Sequence, residues 1–293
     1  PPADPDAWIS RAERRTGLEL KAFNRLVDLR LAHVDGRGNS RTLETFAAPV
    51  AIGLRPETEA GFDPELTGIY RLMPDGSLRY AGGRDADGRK EAAVFRAGVY
   101  GLFEASRRYA DVPDTHPAHR AIAALSARLV LTGTDAAGGR FEPDRDVTRA
   151  EFAAMIARLL DLPDDPGLPA FADVPDGAWH APAIRAARAA GIALGGSGGR
   201  FRPNDAITRE EMAVMLVRAA MHASPEAAAP GTAGTAYADD GRISAWARDA
   251  VNRVTALGLM RGLPDGRFHP NGAASRAEAA RALHRLAVLL DGN

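Results

Sequence analysis

FEPDRDVTRAEFAAMIARLL, residues 141–160, decides the fold, because the chain writes it three times. FRPNDAITREEMAVMLVRAA follows at 201–220 and FHPNGAASRAEAARALHRLA at 268–287. Each copy has Phe, one residue, Pro, and then Thr or Ser seven residues after the Phe. Arg, one further residue and Glu come next, followed by an apolar run of helical period. Self-similarity of this kind announces a repeat architecture before any single element is assigned.

The likeness extends upstream. YADVP at 109–113, FADVP at 171–175 and YADD at 237–240 each open a unit. Ile122/Leu125/Leu129, Ile184/Ala187/Gly191 and Val251/Val254/Gly258 then fall at i, i+3 and i+7, one buried helix face apiece. Gly-rich turns follow at 133–139, 195–199 and 262–266. Each unit therefore reads as helix, Gly-rich loop, extended Phe-x-Pro and second helix. The stretch 224–236, SPEAAAPGTAGTA, has the composition of a flexible linker ahead of the third unit.

These residues resemble S-layer homology repeats, with TRAE at 148–151, TREE at 208–211 and SRAE at 275–278. The resemblance covers residues 109–290, in three units of about 109–162, 171–222 and 237–290. It implies a pseudo-threefold unit whose inter-repeat grooves bind secondary cell wall polysaccharide, often with a pyruvylated amino sugar.

The residue chemistry has two readings at most positions. Thr148/Glu151, Thr208/Glu211 and Ser275/Glu278 carry capping-box spacing, in which hydroxyl and carboxylate satisfy each other's backbone donors. Arg149, Arg209 and Arg276 fall at the first helical position, where a cation opposes the helix dipole. Capping gives no reason for them. They are candidates for gripping an anion such as a ketal carboxylate, or for a salt bridge to a nearby Asp. Asp111, Asp173 and Asp239 accept either sugar hydroxyls or helix N–H groups. Trp179 and Trp246 are candidates for stacking on a sugar ring, or for plain packing, and the first repeat has Pro117 there. The third repeat departs further, with Asp240-Gly241 for Val-Pro and Ser275 for Thr.

The amino-terminal third reads differently. Apolar and polar residues alternate over 25–34 and 50–54, and 68–73 and 78–81 flank the turn Pro74-Asp75-Gly76-Ser77. Two further apolar runs lie at 93–95 and 99–103, and residues 1–20 carry an ambiguous helical pattern. A β-sandwich-like module is expected here.

The formal net charge of −1 gives no nucleic-acid footprint, and the absence of Cys removes disulfides and thiolate chemistry. No apolar run reaches the ~18–20 residues of a membrane span. The start at Pro1, with neither Met nor a signal segment, suggests a piece of a longer chain. No HExxH, GxSxG or phosphate loop stands among these residues. The expected fold class is α+β multidomain. A β-sandwich-like module over 1–104 precedes a mainly α-helical, pseudo-threefold repeat domain over 105–293. The expected role is non-enzymatic, extracellular and cofactor-free, with no metal: anchoring a surface protein to cell wall polysaccharide, as a monomer. The alternatives are an S-layer lattice subunit that contacts its own kind, and the anchor of an upstream surface enzyme.

Overall fold

The computed structural model describes residues 4–57, 61–135, 138–168, 171–226 and 237–292. Most of the linker at 224–236, and residues 136–137 of the first Gly-rich turn, lie outside the described residues. The chain forms two compact units, residues 1–109 with 123–132, and residues 110–122 with 133–293.

In the first unit a helix opens the chain: α1 (Pro5–Thr16). Asp4 caps it by accepting the Ala7 N–H, Pro5 sits in its first turn, and Gly17 ends it in the left-handed conformation at φ 69°. Ten strands follow among the described residues: β1 (Glu19–Ala22), β2 (Val27–Leu29), β3 (Leu31–Val34), β4 (Ser40–Leu43), β5 (Thr45–Leu54), β6 (Thr67–Leu72), β7 (Leu78–Gly82), β8 (Arg84–Ala86), β9 (Arg89–Arg96) and β10 (Gly98–Ser106). They form three sheets. One has the order β1-β10-β6-β7 with β2 also against β10; the others are β3-β4 and β5-β9-β8. All pairings are antiparallel.

The five-stranded sheet is apolar on both faces. Tyr70, Leu72, Val99 and Phe103 point to one side, where Ala12 of α1 and Ala127 close the core. Ile69, Tyr100 and Leu102 alternate to the other side and meet Leu54, Ala92 and Val94 of the β5–β9 ribbon. Tyr70 is fully buried, and its hydroxyl donates to the Ala127 carbonyl at 2.8 Å.

The second unit carries the repeats. Its helices are α2 (His119–Ala127, shared with the first unit), α3 (Arg149–Leu159), α4 (Ala181–Ala189), α5 (Arg209–Ala223), α6 (Arg248–Ala256) and α7 (Arg276–Asp291). α3 packs on α4 and α7, and α5 on α6 and α7. Phe152, Met212 and Leu283 are among the apolar residues these helices bury.

The expected fold class needs correction in both halves. Among the described residues the first unit has three sheets, and a helix covers one face of the largest, so it is not a two-sheet sandwich. A sheet apolar on both faces needs a cover on each, and the amphipathic α1 supplies one of them. The repeat region is not plainly mainly helical. Among its described residues, helices hold less than half; turns, Phe-x-Pro segments whose middle residue is left-handed and not extended as expected, and three isolated β-bridges make up the rest. The Gly, Pro and Asp content of each unit forces this, because such residues terminate helices and favour turns.

Candidate ligand-binding junctions between the repeats

The residues just ahead of the three capping hydroxyls meet one another. Val147 N–H donates to Ala274 O at 2.9 Å, Ala274 N–H to Ile207 O at 2.9 Å, and Ile207 N–H to Val147 O at 3.0 Å. The first repeat thus bonds to the third, the third to the second, and the second to the first. A second tier repeats the pattern. Ala150 N–H donates to Pro203 O, Glu210 N–H to Pro270 O, and Ala277 N–H to Pro143 O. The acceptors belong to the neighbouring repeat in each case, so a helix N-terminus finds its partners in another copy.

Each second helix begins with a complete capping box. Thr148, Thr208 and Ser275 accept the N–H of Glu151, Glu211 and Glu278, whose carboxylates take the cap residue's own N–H. Those carboxylates have a second task. Arg149, Arg209 and Arg276 are only 7%, 4% and 4% exposed. Each reaches into the next repeat and pairs with its capping Glu. Arg149 meets Glu211 at 3.0 Å, Arg276 meets Glu151 at 3.4 Å, and Arg209 pairs with Glu278. Each Nε donates to a Phe carbonyl at the same junction: Phe201 at 2.8 Å, Phe268 at 2.7 Å and Phe141 at 2.8 Å. Each guanidinium also lies over that Phe ring, at 4.9, 5.0 and 4.4 Å from its centre. Carboxylate, carbonyl and ring together hold the buried cation.

Burial tends to raise the pKa of Glu211, but the Thr208 N–H and the charges of Arg149 and Arg202 outweigh it and hold the carboxyl below its usual value. Glu151 is lowered against the same burial by Arg145, the Thr148 N–H and Arg276.

The three aspartates serve their own repeats. Asp111 accepts the N–H groups of Phe141 and Glu142, both at 2.8 Å. Asp173 accepts those of Phe201 and Arg202, and Asp239 those of Phe268 and His269. Glu142, Arg202 and His269 are non-glycine residues in the left-handed region, at φ 57°, 59° and 55°. Such a conformation is costly for them, and a bidentate carboxylate on successive N–H groups offsets the cost. Burial opposes ionisation of all three aspartates, yet the backbone donors keep their pKa below the ordinary value.

Trp179 and Trp246 are 64% and 61% exposed, among the most exposed large apolar side chains described. The Trp179 ring meets the edge of His180 at 5.2 Å.

The structure therefore gathers the capping residues and the arginines at the junctions, commits the aspartates to backbone donors, and leaves the indoles at the surface. Sequence reasoning missed Arg145 and Arg202. Both are partly exposed, at 37% and 49% of their side chains, and both sit on a junction carboxylate. It also missed Glu210, which is 3% exposed and accepts the Ser244 N–H and hydroxyl at 3.0 and 2.8 Å. No signal marks these residues, because the corresponding positions differ from copy to copy. Among the described residues no group of His, Asp and Glu could hold a metal ion, and no helix is long and apolar enough to cross a membrane.

Three helix-loop-helix units that exchange backbone bonds and buried Arg–Glu pairs around a ring define a closed, three-repeat module. The S-layer homology domain model matches all three units, at residues 108–153, 170–213 and 236–280, so the chain is an S-layer homology domain protein. It is 35% identical over 270 residues to an amylopullulanase of Thermoanaerobacterium thermosulfurigenes, covering 90% of this chain and 14% of that one. It is 40% identical over 188 residues to an exoglucanase of Acetivibrio thermocellus, covering 64% and 17%. An S-layer protein of Bacillus thuringiensis subsp. finitimus is 34% identical over 195 residues, covering 66% and 23%. The chain thus spans less than a quarter of the length of these relatives. The family places it at the bacterial cell surface, attached to the cell wall.

Proposed function

We propose that this chain holds a larger surface protein to the cell wall non-covalently, by binding secondary cell wall polysaccharide at the junctions between repeats. The observation that carries the reading is the pairing of a rigid, closed set of junctions with exposed indoles at the same place in two repeats. A preorganised surface loses little freedom on binding, and an exposed indole offers a sugar ring a large apolar face. In this reading Arg149, Arg209 and Arg276 shape the junctions from inside, and Trp179, Trp246 and the half-exposed arginines meet the polymer. The chain itself carries out no chemistry. The amylopullulanase relative, which aligns with the amino-terminal unit as well as the repeats, favours an enzyme as cargo over a lattice subunit.

The test is co-sedimentation with purified Gram-positive cell walls, before and after chemical removal of the non-peptidoglycan polymer. Binding is expected only while the polymer is attached. Changing Trp179 and Trp246 together to Ala should weaken it by roughly tenfold, which corresponds to about 1.4 kcal/mol. Equal binding to stripped walls would refute the polysaccharide reading.

A further inference from the structure

We infer that His180 makes wall attachment through the second repeat sensitive to pH, because it holds Trp179 in place only while its own ring is neutral. This rests on the wall-polymer reading above. His180 is the N-cap residue of α4, and its side chain makes no capping bond. It is 6% exposed, and its Nδ1 is buried without a hydrogen-bond partner. In a neutral imidazole that nitrogen can stand as an acceptor with no proton, whereas imidazolium carries a donor on both nitrogens. A proton on Nδ1 is therefore buried with no acceptor, and its charge sits at the positive end of a helix dipole. Trp179 is the preceding residue, and its ring centre lies 5.2 Å from that of His180, edge to face.

The charged side chains of the elements around His180 give an imidazolium no relief. On its own loop and helix, Asp173 is committed to the N–H groups of Phe201 and Arg202, and Asp176 lies 3.9 Å from Arg185. Arg185 also pairs with Asp164 at 2.8 Å, and Arg188 lies over the Phe171 ring. On α3, which packs against α4, Arg149 and Glu151 are held in the junction pairs, and the third charged residue, Arg158, is itself a cation. Burial lowers the pKa of His180, and no neighbouring charge contributes to the shift. An imidazolium reaches water and acceptors only by leaving its place at the start of α4, and the indole packed against it moves with it. The other repeats lack the device. Trp246 is followed by Ala247 and Pro117 by Ala118, both alanines fully buried, so the second repeat alone joins an exposed indole to a titratable ring at this place.

The test measures pelleting of the whole chain with polymer-bearing walls at pH 7 and pH 5.5, as wild type and as His180→Ala, His180→Gln and Trp179→Ala. Far-ultraviolet circular dichroism checks that each is folded at both pH values. The wild type should bind about threefold more weakly at pH 5.5, the share of one of two indoles whose joint loss costs about tenfold. His180→Ala, which copies the other repeats, and His180→Gln, which cannot charge, should lose less than the wild type. Any titration of the wall itself is common to all four chains and cancels in that comparison. Trp179→Ala should show the same flat ratio. The emission of Trp179, taken as the difference between wild type and Trp179→Phe, should change over the same range and stay constant in the His180→Ala background. An equal loss in wild type and both His180 variants, a full pH response in Trp179→Ala, or an unchanged Trp179 emission each overturns the inference. Unfolding of the wild type by pH 5.5 does so too, since the device is then global and not local. Pelleting that is constant with pH defeats this inference alone; failure to pellet at pH 7 defeats the anchoring reading and this inference with it.

Discussion

At the scale of the residue, a cation at the start of a helix changes meaning once its surroundings are known. Arg209 opposes the positive end of α5, which in isolation costs stability. Its partners come from elsewhere: Glu278, the carbonyls of Phe268 and Arg261, and the Phe268 ring. Removing one member of a buried pair leaves the other charge uncompensated, and such losses run to about 3–5 kcal/mol. Arg209→Ala should therefore lower the unfolding free energy of the repeat unit, measured by denaturant titration, by an amount of that order. A loss no larger than that of a typical exposed ion pair, under about 1 kcal/mol, would show that the pair is not holding the junction. The sequence points to Arg149, Arg209 and Arg276 as unexplained by capping, but not to their partners. Each bond is made to a residue some 50 to 135 positions away. The aspartates are hidden in the same way, since nothing local ties Asp173 to the N–H of Arg202.

At the scale of the element, the second helix of each repeat is legible because its start is encoded within four residues. The capping box is a local device, and the apolar run after it has one period. α4 shows what a single substitution does inside that plan. Its N-cap His180 is 6% exposed, with Nδ1 buried and without a hydrogen-bond partner. The equivalent positions in the other repeats are Ala118 and Ala247, both fully buried. Burial lowers the pKa of His180, so the fold prefers the neutral ring. The unfolded chain takes up a proton near the ordinary value of about 6.5 and the folded one resists it. Stability from this group is present above that pH and is lost as the pH falls through it. The melting temperature of the wild type should drop between pH 7 and pH 5.5 by more than that of His180→Ala; parallel curves would contradict this. α1 was hard to read for the opposite reason. Its signals, Asp4, Pro5 and Gly17, are all present, but its apolar residues cover little more than one turn of surface, and its place on the five-stranded sheet depends on strands up to a hundred residues away.

At the scale of the whole molecule, the repeats stand or fall together. Val147, Ile207 and Ala274 each donate to one neighbour and accept from the other, so no copy is complete alone. A chain ended after α5 would strip Val147 N–H, Arg209 N–H and Glu210 N–H of their acceptors, together with the partners of the Arg209 side chain. Such a chain should lose the share of its near-ultraviolet circular dichroism that the repeat unit contributes, and the slow hydrogen exchange of those amides. A cooperative melt at the wild-type temperature would show instead that two repeats suffice. The sequence reveals how many copies there are; the closure is invisible to it, because hydrogen bonds between backbones leave no residue signature. Closure also fixes a number. Open repeat arrays grow by adding units between terminal caps. This one has no ends at which to add: a fourth copy would find its donors and acceptors already matched. Gene duplication can lengthen such a protein only by whole sets of three, and a stray extra copy would be left to unfold or to seek its complement in another molecule.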